Sequence, residues 1–65
     1  MFIVVNGKSR FLPELRTLDA LLRFLSPSVP FVVARNDEII ARGTYGECAI
    51  STGDRFEIVH PAAGG

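Results

Sequence analysis

The sequence predicts a two-layer α+β domain in which a single helix packs on one face of a mixed five-stranded sheet. Three features predict it. An Asn6-Gly7 pair separates two short apolar runs and is the strongest short signal for a β-hairpin. One segment carries leucines at helical spacing, and residues 55–60 alternate apolar and polar side chains with a period of two. Helix and sheet in so small a chain can bury their apolar faces only against each other.

Length and composition limit the function. With 65 residues, 48% of them hydrophobic, the chain can form one small core, because a domain of this size buries only about 60% of its unfolded surface. An active site in a cleft, as most enzymes have, is therefore not expected. Seven Lys and Arg balance seven Asp and Glu, which argues against a nucleic-acid partner.

The single cysteine, Cys48, excludes an internal disulfide and a metal site built from several cysteines. With no signal peptide recognised, it indicates a reducing cytoplasmic location. The apolar runs are too short to cross a bilayer, so no membrane partner is expected.

The first elements are a strand over residues 2–5, the Asn6-Gly7 turn and a return strand over residues 9–12, which Pro13 ends. A helix follows. Thr17 is a suitable N-cap and Asp19 suits the first turn. The apolar stripe of this helix consists of Leu18, Leu21, Leu22 and Leu25, and the segment Ser26-Pro27-Ser28 ends it.

The second half begins with a strand over residues 31–34, in which Val32 and Val33 both suit the core. An Asn36-Asp37 turn then leads to a short strand over residues 38–40. Residues 42–52 lack periodicity and are expected to form an irregular connection, with Tyr45 and Ile50 as its core anchors. After a turn at Gly53-Asp54, residues 55–60 form the last strand.

The first strand is so apolar that it needs a neighbour besides its hairpin partner, and the last strand is the natural candidate. If the two run parallel, the sheet has the order 2-1-5-3-4 and the fold is a β-grasp. Residues 1–60 then form the domain. Residues 61–65 form a C-terminal tail, because Pro61 cannot donate a ladder hydrogen bond.

That tail, with Ala62, Ala63, Gly64 and Gly65 after the proline, carries no side chain larger than a methyl group. A thin, flexible segment of this kind can enter a narrow cleft on another protein and present its α-carboxylate for chemistry. The alternative is an ordinary frayed terminus.

Strand alternation divides the sheet into two faces. Four apolar residues are assigned to the helix side: Ile3, Val5, Phe56 and Ile58. Phe2, Val4 and Val59 fall on the opposite face, which no second helix covers, and we expect them to form a docking patch beside the tail. His60 at the strand end is expected to touch the same partner. The alternative is that single exposed apolar residues need no explanation.

Cys48, His60 and Asp54 could in principle supply a nucleophile, a base and an orienting carboxylate. Nothing in their spacing supports this, and a lone cysteine is more often a small buried hydrophobe. His60 is the only histidine, and the carboxylates around it show no ligand spacing. We therefore expect neither a catalytic group nor a bound metal or cofactor.

Over its whole length the chain resembles the ThiS family, the sulfur carrier proteins of thiamine biosynthesis. The resemblance rests on the hairpin pair Asn6-Gly7, the helix pattern Thr17, Leu21 and Leu22, the run Asn36, Ile39, Ile40 and Arg42, the aromatic Tyr45, and the ending Gly53, Asp54, Glu57, Ile58, Val59, Gly64 and Gly65. Two departures, Asp37 where glycine is usual and Thr52 where an acidic residue is common, lie outside the tail.

The resemblance implies a β-grasp fold and a reactive carboxylate on Gly65. An E1-like adenylyltransferase of the ThiF type would activate that carboxylate with ATP and magnesium. A cysteine-desulfurase persulfide would supply sulfur to form a thiocarboxylate, and a thiazole synthase of the ThiG type would accept it. The chain itself would be a carrier and not an enzyme.

Three other functions are also compatible with the sequence. The small subunit of molybdopterin synthase is a similar sulfur carrier but is usually longer. A ubiquitin-like modifier would pass Gly65 to a lysine amine. A pure interaction module would have an incidental tail.

Overall fold

The structure is a computed structural model that describes residues 1–61. Within this range the sheet consists of β1 (Phe2–Val5), β2 (Lys8–Phe11), β3 (Val32–Arg35), β4 (Glu38–Ile39) and β5 (Arg55–Val59), accompanied by the helix α1 (Leu18–Leu25) and a 3₁₀ helix (Arg42–Glu47). The strand order is β2-β1-β5-β3-β4. β1 and β5 run parallel, and the other neighbours are antiparallel. The predicted α+β fold of the β-grasp type is confirmed.

Both hairpins turn through two residues with positive φ, a geometry that matches the twist of the flanking strands. The angles are 51° and 78° at Asn6 and Gly7, and 49° and 72° at Asn36 and Asp37. Because the first turn takes only two residues, Lys8 lies directly opposite Val5. β2 therefore begins one residue before the predicted limit.

The helix forms where its leucine pattern predicts it. The Thr17 hydroxyl accepts a hydrogen bond from the backbone N–H of Ala20 at 3.2 Å, which caps the first turn. At the other end Ser26 adopts a left-handed conformation with φ of 53°, and its N–H donates to the Leu22 carbonyl at 2.7 Å. Among residues 1–61, no helix has the length and apolarity needed to cross a membrane.

The connection after β4 is more regular than predicted. Residues Arg42–Glu47 form a 3₁₀ helix, which the sequence pattern missed because such short turns leave no extended hydrophobic period. Both predicted anchors contact the core, since Ile50 is buried and Tyr45 is half-buried against it. The Arg35 guanidinium ties this region to the sheet: it donates to the Asp54 carboxylate and to the Cys48 sulfur, each at 3.2 Å.

The core lies between α1 and one face of the sheet. Its buried side chains are Ile3, Val5, Leu12, Leu18, Leu21, Leu22, Val33, Ile50, Phe56 and Ile58. The four residues that alternation assigned to the helix side are all among them. Of Val32 and Val33, which both suit the core by sequence, Val33 is the one that is fully buried. β5 ends at Val59, one residue before the predicted limit, because its partner β3 begins at Val32, opposite Val59.

Candidate functional site at the end of β5

β5 lies in the middle of the sheet and is the last strand among the described residues. It pairs with β1 on one side and with β3 on the other, where Val59 and Val32 form the last pair. His60 and Pro61 follow, exposed and outside regular structure. The predicted tail residues Ala62, Ala63, Gly64 and Gly65 lie outside the described range. The C-terminal segment thus starts from a strand that is held from both sides for part of its length.

The side chain of Asn6 extends the pairing of β5 beyond the end of β1. The register matches Val5 with Phe56, so β1 stops while β5 continues for three more residues. Asn6 Oδ1 accepts a hydrogen bond from the Ile58 N–H at 2.7 Å, and Asn6 Nδ2 donates to the Ile58 carbonyl at 3.3 Å. The backbone N–H of Asn6 also donates to the Phe56 carbonyl at 2.9 Å. The sequence indicated only the turn at Asn6 and missed this contact.

The open face of the sheet carries exposed apolar side chains, and two of them, Phe2 and Val59, lie at opposite ends of it. Val59 is 53% exposed beside the end of β5, and Phe2 is 39% exposed. Because Val4 lies opposite Arg55, Phe2 falls before the start of β5. It is therefore roughly 20 Å from Val59 along the strands, at about 3.3 Å per residue. The prediction that Phe2, Val4 and Val59 lie together beside the tail is wrong for Phe2.

At its own end of the sheet, Phe2 packs against an aromatic neighbour on β2. The rings of Phe2 and Phe11 meet edge to face, with centroids 5.6 Å apart and planes at 81°. Phe11 is 84% exposed. The backbone of Phe2 is held by Thr52, whose hydroxyl bonds the Phe2 N–H at 2.9 Å and the Phe2 carbonyl at 3.0 Å. The open face therefore carries an exposed aromatic pair at the end away from Val59.

A groove of about 770 Å³ follows the open side of β5 towards His60. Val4 and both hairpin turns contribute to its walls. The exposed side chains of Arg55 and Glu57, of opposite charge, share this face with Val59. The groove therefore presents small apolar side chains and charges of both signs beside the end of β5.

The three residues considered as a catalytic group are not brought together. Asp54 accepts hydrogen bonds from Arg35 at 3.2 Å and from the Ser51 N–H at 2.9 Å, and Cys48 contacts the same arginine. His60 lies at the opposite end of β5 from Asp54. Within residues 1–61 there is no group of three His, Cys, Asp or Glu side chains placed to hold a metal ion.

A mixed five-stranded sheet of this strand order, packed on one helix, is the β-grasp fold of the ubiquitin-like class of proteins. Within that class the chain belongs to the ThiS family, whose sequence model matches residues 3–65.

Comparison with solved structures gives the same class. The crystal structure of the thiamine biosynthesis protein ThiS from Geobacter metallireducens matches with a TM-score of 0.87 and 25% identity, over 100% of both chains. The solution structure of a thiamine biosynthesis protein from the same organism gives a TM-score of 0.80 at 25% identity, over 100% of this chain and 88% of the other.

A longer relative is also similar. A thiazole synthase from Paramagnetospirillum magneticum is 38% identical over 66 residues. The match covers 100% of this chain but only 20% of that protein. The chain thus spans about a fifth of the length of this relative.

Proposed function

We propose that this chain is a sulfur carrier protein of thiamine biosynthesis that carries sulfur as a thiocarboxylate on Gly65. The observation that carries the proposal is the family match, which extends through residue 65 and so includes Gly64 and Gly65. The likeness over the full length of a thiamine biosynthesis protein supports the pathway. In this role the chain is a substrate of other enzymes and not an enzyme itself.

The chemistry begins with activation of the Gly65 carboxylate. One carboxylate oxygen attacks the α-phosphorus of ATP, pyrophosphate leaves, and Gly65 becomes an acyl-adenylate with AMP as a good leaving group. The terminal sulfur of a cysteine-desulfurase persulfide then attacks the carbonyl carbon and expels AMP. A second thiol attacks the cysteine sulfur of the resulting acyl disulfide and forms a new disulfide with it. The S–S bond to the acyl group breaks, and the thiocarboxylate departs with the electron pair. An E1-like adenylyltransferase of the ThiF type supplies the site, with its ATP and magnesium.

The chain contributes reach and a small cross-section. Gly65 is the reacting group, and Gly64 has no side chain to obstruct a narrow cleft. Ala62 and Ala63 lengthen the segment between the domain and the carboxylate. The described residues support this role because β5, which leads to the segment, is paired on both sides.

Thiazole synthase of the ThiG type is the proposed acceptor of the sulfur. The support comes from the relative named thiazole synthase, a fifth of whose length matches this chain. Two domains joined in one polypeptide meet at a high effective concentration. A segment similar to this chain inside a synthase therefore supports direct contact between carrier and synthase. For a separate carrier, the same encounter takes place between two molecules.

The open face beside the end of β5 is the proposed docking surface for both partners. Val59 and His60 are exposed there, and Val4 lies on the same face. A partner that holds Gly65 in its site has to approach this end of the sheet first. Phe2 lies at the far end and belongs to the docking surface only if the partner covers the whole sheet.

Intact-protein mass spectrometry tests the proposal. The chain is incubated with a ThiF-type enzyme, ATP, magnesium and a persulfide donor with a thiol reductant. We expect a mass increase equal to the exchange of one oxygen for sulfur. Gly65→Leu, which alters the reacting position, is expected to lose the exchange completely and to keep the thermal stability of the unsubstituted chain.

Three results would contradict the proposal. Sulfur loading of the Gly65→Leu chain would show that another group reacts. Adenylation followed by amide conjugates, with no sulfur exchange, would favour a ubiquitin-like modifier. If an enzyme that loads a ThiS protein from another organism leaves this chain unmodified, the Gly64-Gly65 terminus takes no part in sulfur transfer.

A further inference from the structure

We propose that the side-chain amide of Asn6 is a positioning element for the reactive terminus. It forms the last rung of the sheet on the β1 side of β5. Ile58, the residue it holds, lies seven positions before Gly65. The inference rests on the proposed function, because it assigns Asn6 a part in presenting Gly65 to the activating enzyme.

The geometry is that of a peptide group. In a parallel sheet each strand offers N–H and C=O groups to its neighbour, and on the β1 side the backbone N–H of Asn6 is the last backbone donor to β5, at the Phe56 carbonyl. The Asn6 carboxamide offers one donor and one acceptor, and it uses both on the same residue, Ile58, at 3.3 Å and 2.7 Å. Neither the N–H nor the carbonyl of Ile58 then depends on water on that side.

The turn favours asparagine at this position but does not require the contact of its side chain with Ile58. A φ of 51° suits glycine, and aspartate tolerates it as well. The second hairpin provides a comparison within the chain. Asn36 has a φ of 49° in a turn of the same kind, yet within residues 1–61 its side chain makes no hydrogen bond. The contact to Ile58 is therefore a second property of Asn6, separate from its turn conformation.

Loss of this rung leaves the end of β5 paired on one side only. Residues 57–59 extend beyond β1 and would be held by β3 alone. A strand end with fewer hydrogen bonds opens more often. Reactive groups gain rate from being held in place, and displacements of about 1 Å can cost up to about a hundredfold. A loosened β5 end is therefore expected to slow activation of Gly65 without unfolding the domain.

Two substitutions separate the amide from the turn. Asn6→Gly keeps the positive φ and removes both hydrogen bonds to Ile58. Asn6→Asp keeps the size and the acceptor, but its ionised carboxylate cannot donate and faces the Ile58 carbonyl. The matched controls are Asn36→Gly and Asn36→Asp, which make the same changes in the other hairpin turn.

The first readout is solvent exchange of single backbone N–H groups, followed by NMR. In Asn6→Gly, which removes the acceptor of the Ile58 N–H, we expect this N–H to exchange about tenfold faster, the effect of losing roughly one net hydrogen bond. Asn6→Asp keeps that acceptor and should accelerate the exchange less. The Ile40 N–H, which donates to the Val33 carbonyl at 2.9 Å, serves as the reference and should change by less than about twofold. The Asn36 controls should leave Ile58 unchanged.

The second readout is ATP–pyrophosphate exchange catalysed by a ThiF-type enzyme with each carrier variant. We expect kcat to fall about tenfold in Asn6→Gly, with a smaller change in KM, because the side chains of the docking surface are unchanged and the substitution acts on how β5 presents Gly65. A merely structural role would instead accelerate all N–H groups alike and lower the melting temperature without a selective loss of kcat.

The outcomes separate this inference from the proposed function. No adenylation of the unsubstituted chain would overturn the proposed function, and the presentation role with it. Normal adenylation of the unsubstituted chain with an equal kcat for Asn6→Gly would overturn only the role of Asn6. An Ile58 N–H that exchanges equally in Asn6→Gly and Asn36→Gly would overturn it as well.

Discussion

The two sides of β5 differ sharply although they belong to the same five residues. On the helix side, Phe56 and Ile58 are 1% and 8% exposed and form part of the core. On the open side, Arg55, Glu57 and Val59 are exposed. The difference arises because α1 covers one face of the sheet and, within residues 1–61, no second helix covers the other. One set of side chains therefore stabilises the domain, while the other remains available for contacts.

This difference has a consequence for mutational analysis. Substitutions on the helix side should change the free energy of unfolding, and substitutions on the open side should change partner binding. If substitutions on both sides change stability and binding in the same way, the separate roles proposed for the two sides of β5 are wrong.

The largest effect is expected from Phe56→Ala. Its ring is buried, and the Arg35 guanidinium lies 5.8 Å from the ring centroid, so truncation leaves a cavity and removes a cation–π contact. We expect a loss of about 3–5 kcal/mol in the free energy of unfolding, measured by urea denaturation. The control, Val59→Ala on the open side of the same strand, should lose less than about 1 kcal/mol. Equal losses for the two variants would contradict the comparison.

A smaller effect, on binding, is expected from Val59→Asp. A charge beside the end of β5 should weaken binding to a ThiF-type enzyme about tenfold, or about 1.4 kcal/mol. Val59→Thr keeps the branched shape and should bind nearly as well as the unsubstituted chain. Titration calorimetry measures both affinities.

The position of the docking surface is tested by Phe2→Asp in the same assay. Phe2 lies at the far end of the sheet, so this variant should weaken binding less than Val59→Asp does. A larger effect at Phe2 would move the docking surface to the end with the aromatic pair. Unchanged affinity in both variants would remove the open face from the interaction altogether.

The smallest effect concerns the edge-to-face pair of Phe2 and Phe11. Aromatic pairs of this geometry contribute about 0.5–1.5 kcal/mol beyond the area they bury, and the exposure of Phe11 places the value at the lower end. A double-mutant cycle with Phe2→Leu and Phe11→Leu should give a coupling of about 0.5 kcal/mol in thermal unfolding. Zero coupling would mean that the open face adds nothing to stability.

The sequence predicted features that depend on local pattern. The hairpin turns, the helix with its Thr17 cap and the faces of β1 and β5 follow from residue type and spacing, and the structure confirms them. The parallel neighbour of β1 was inferred from its apolar composition, and this inference is confirmed as well.

Features that depend on the relative placement of distant elements were not predicted. Alternation assigns a residue to a face but does not give the offset between two strands, so Phe2 was placed beside the tail. The contact of Asn6 with Ile58 depends on the same offset. The 3₁₀ helix at Arg42–Glu47 has no period for a pattern to detect. For the tail itself the prediction rests on composition and family resemblance, since residues 62–65 lie outside the described range.

The central position of β5 also governs how the domain folds. Among residues 1–61, β5 is the last strand in sequence, yet it separates β1 from β3 in the sheet. The two halves of the sheet cannot join until residues 55–59 have been synthesised, and the parallel β1–β5 contact closes a loop of about fifty residues, a kind of contact that slows folding. A chain that has not folded lacks the strand pairs that fix the start of its terminal segment. An enzyme that binds the proposed docking surface would therefore discriminate against misfolded chains without a separate checking step.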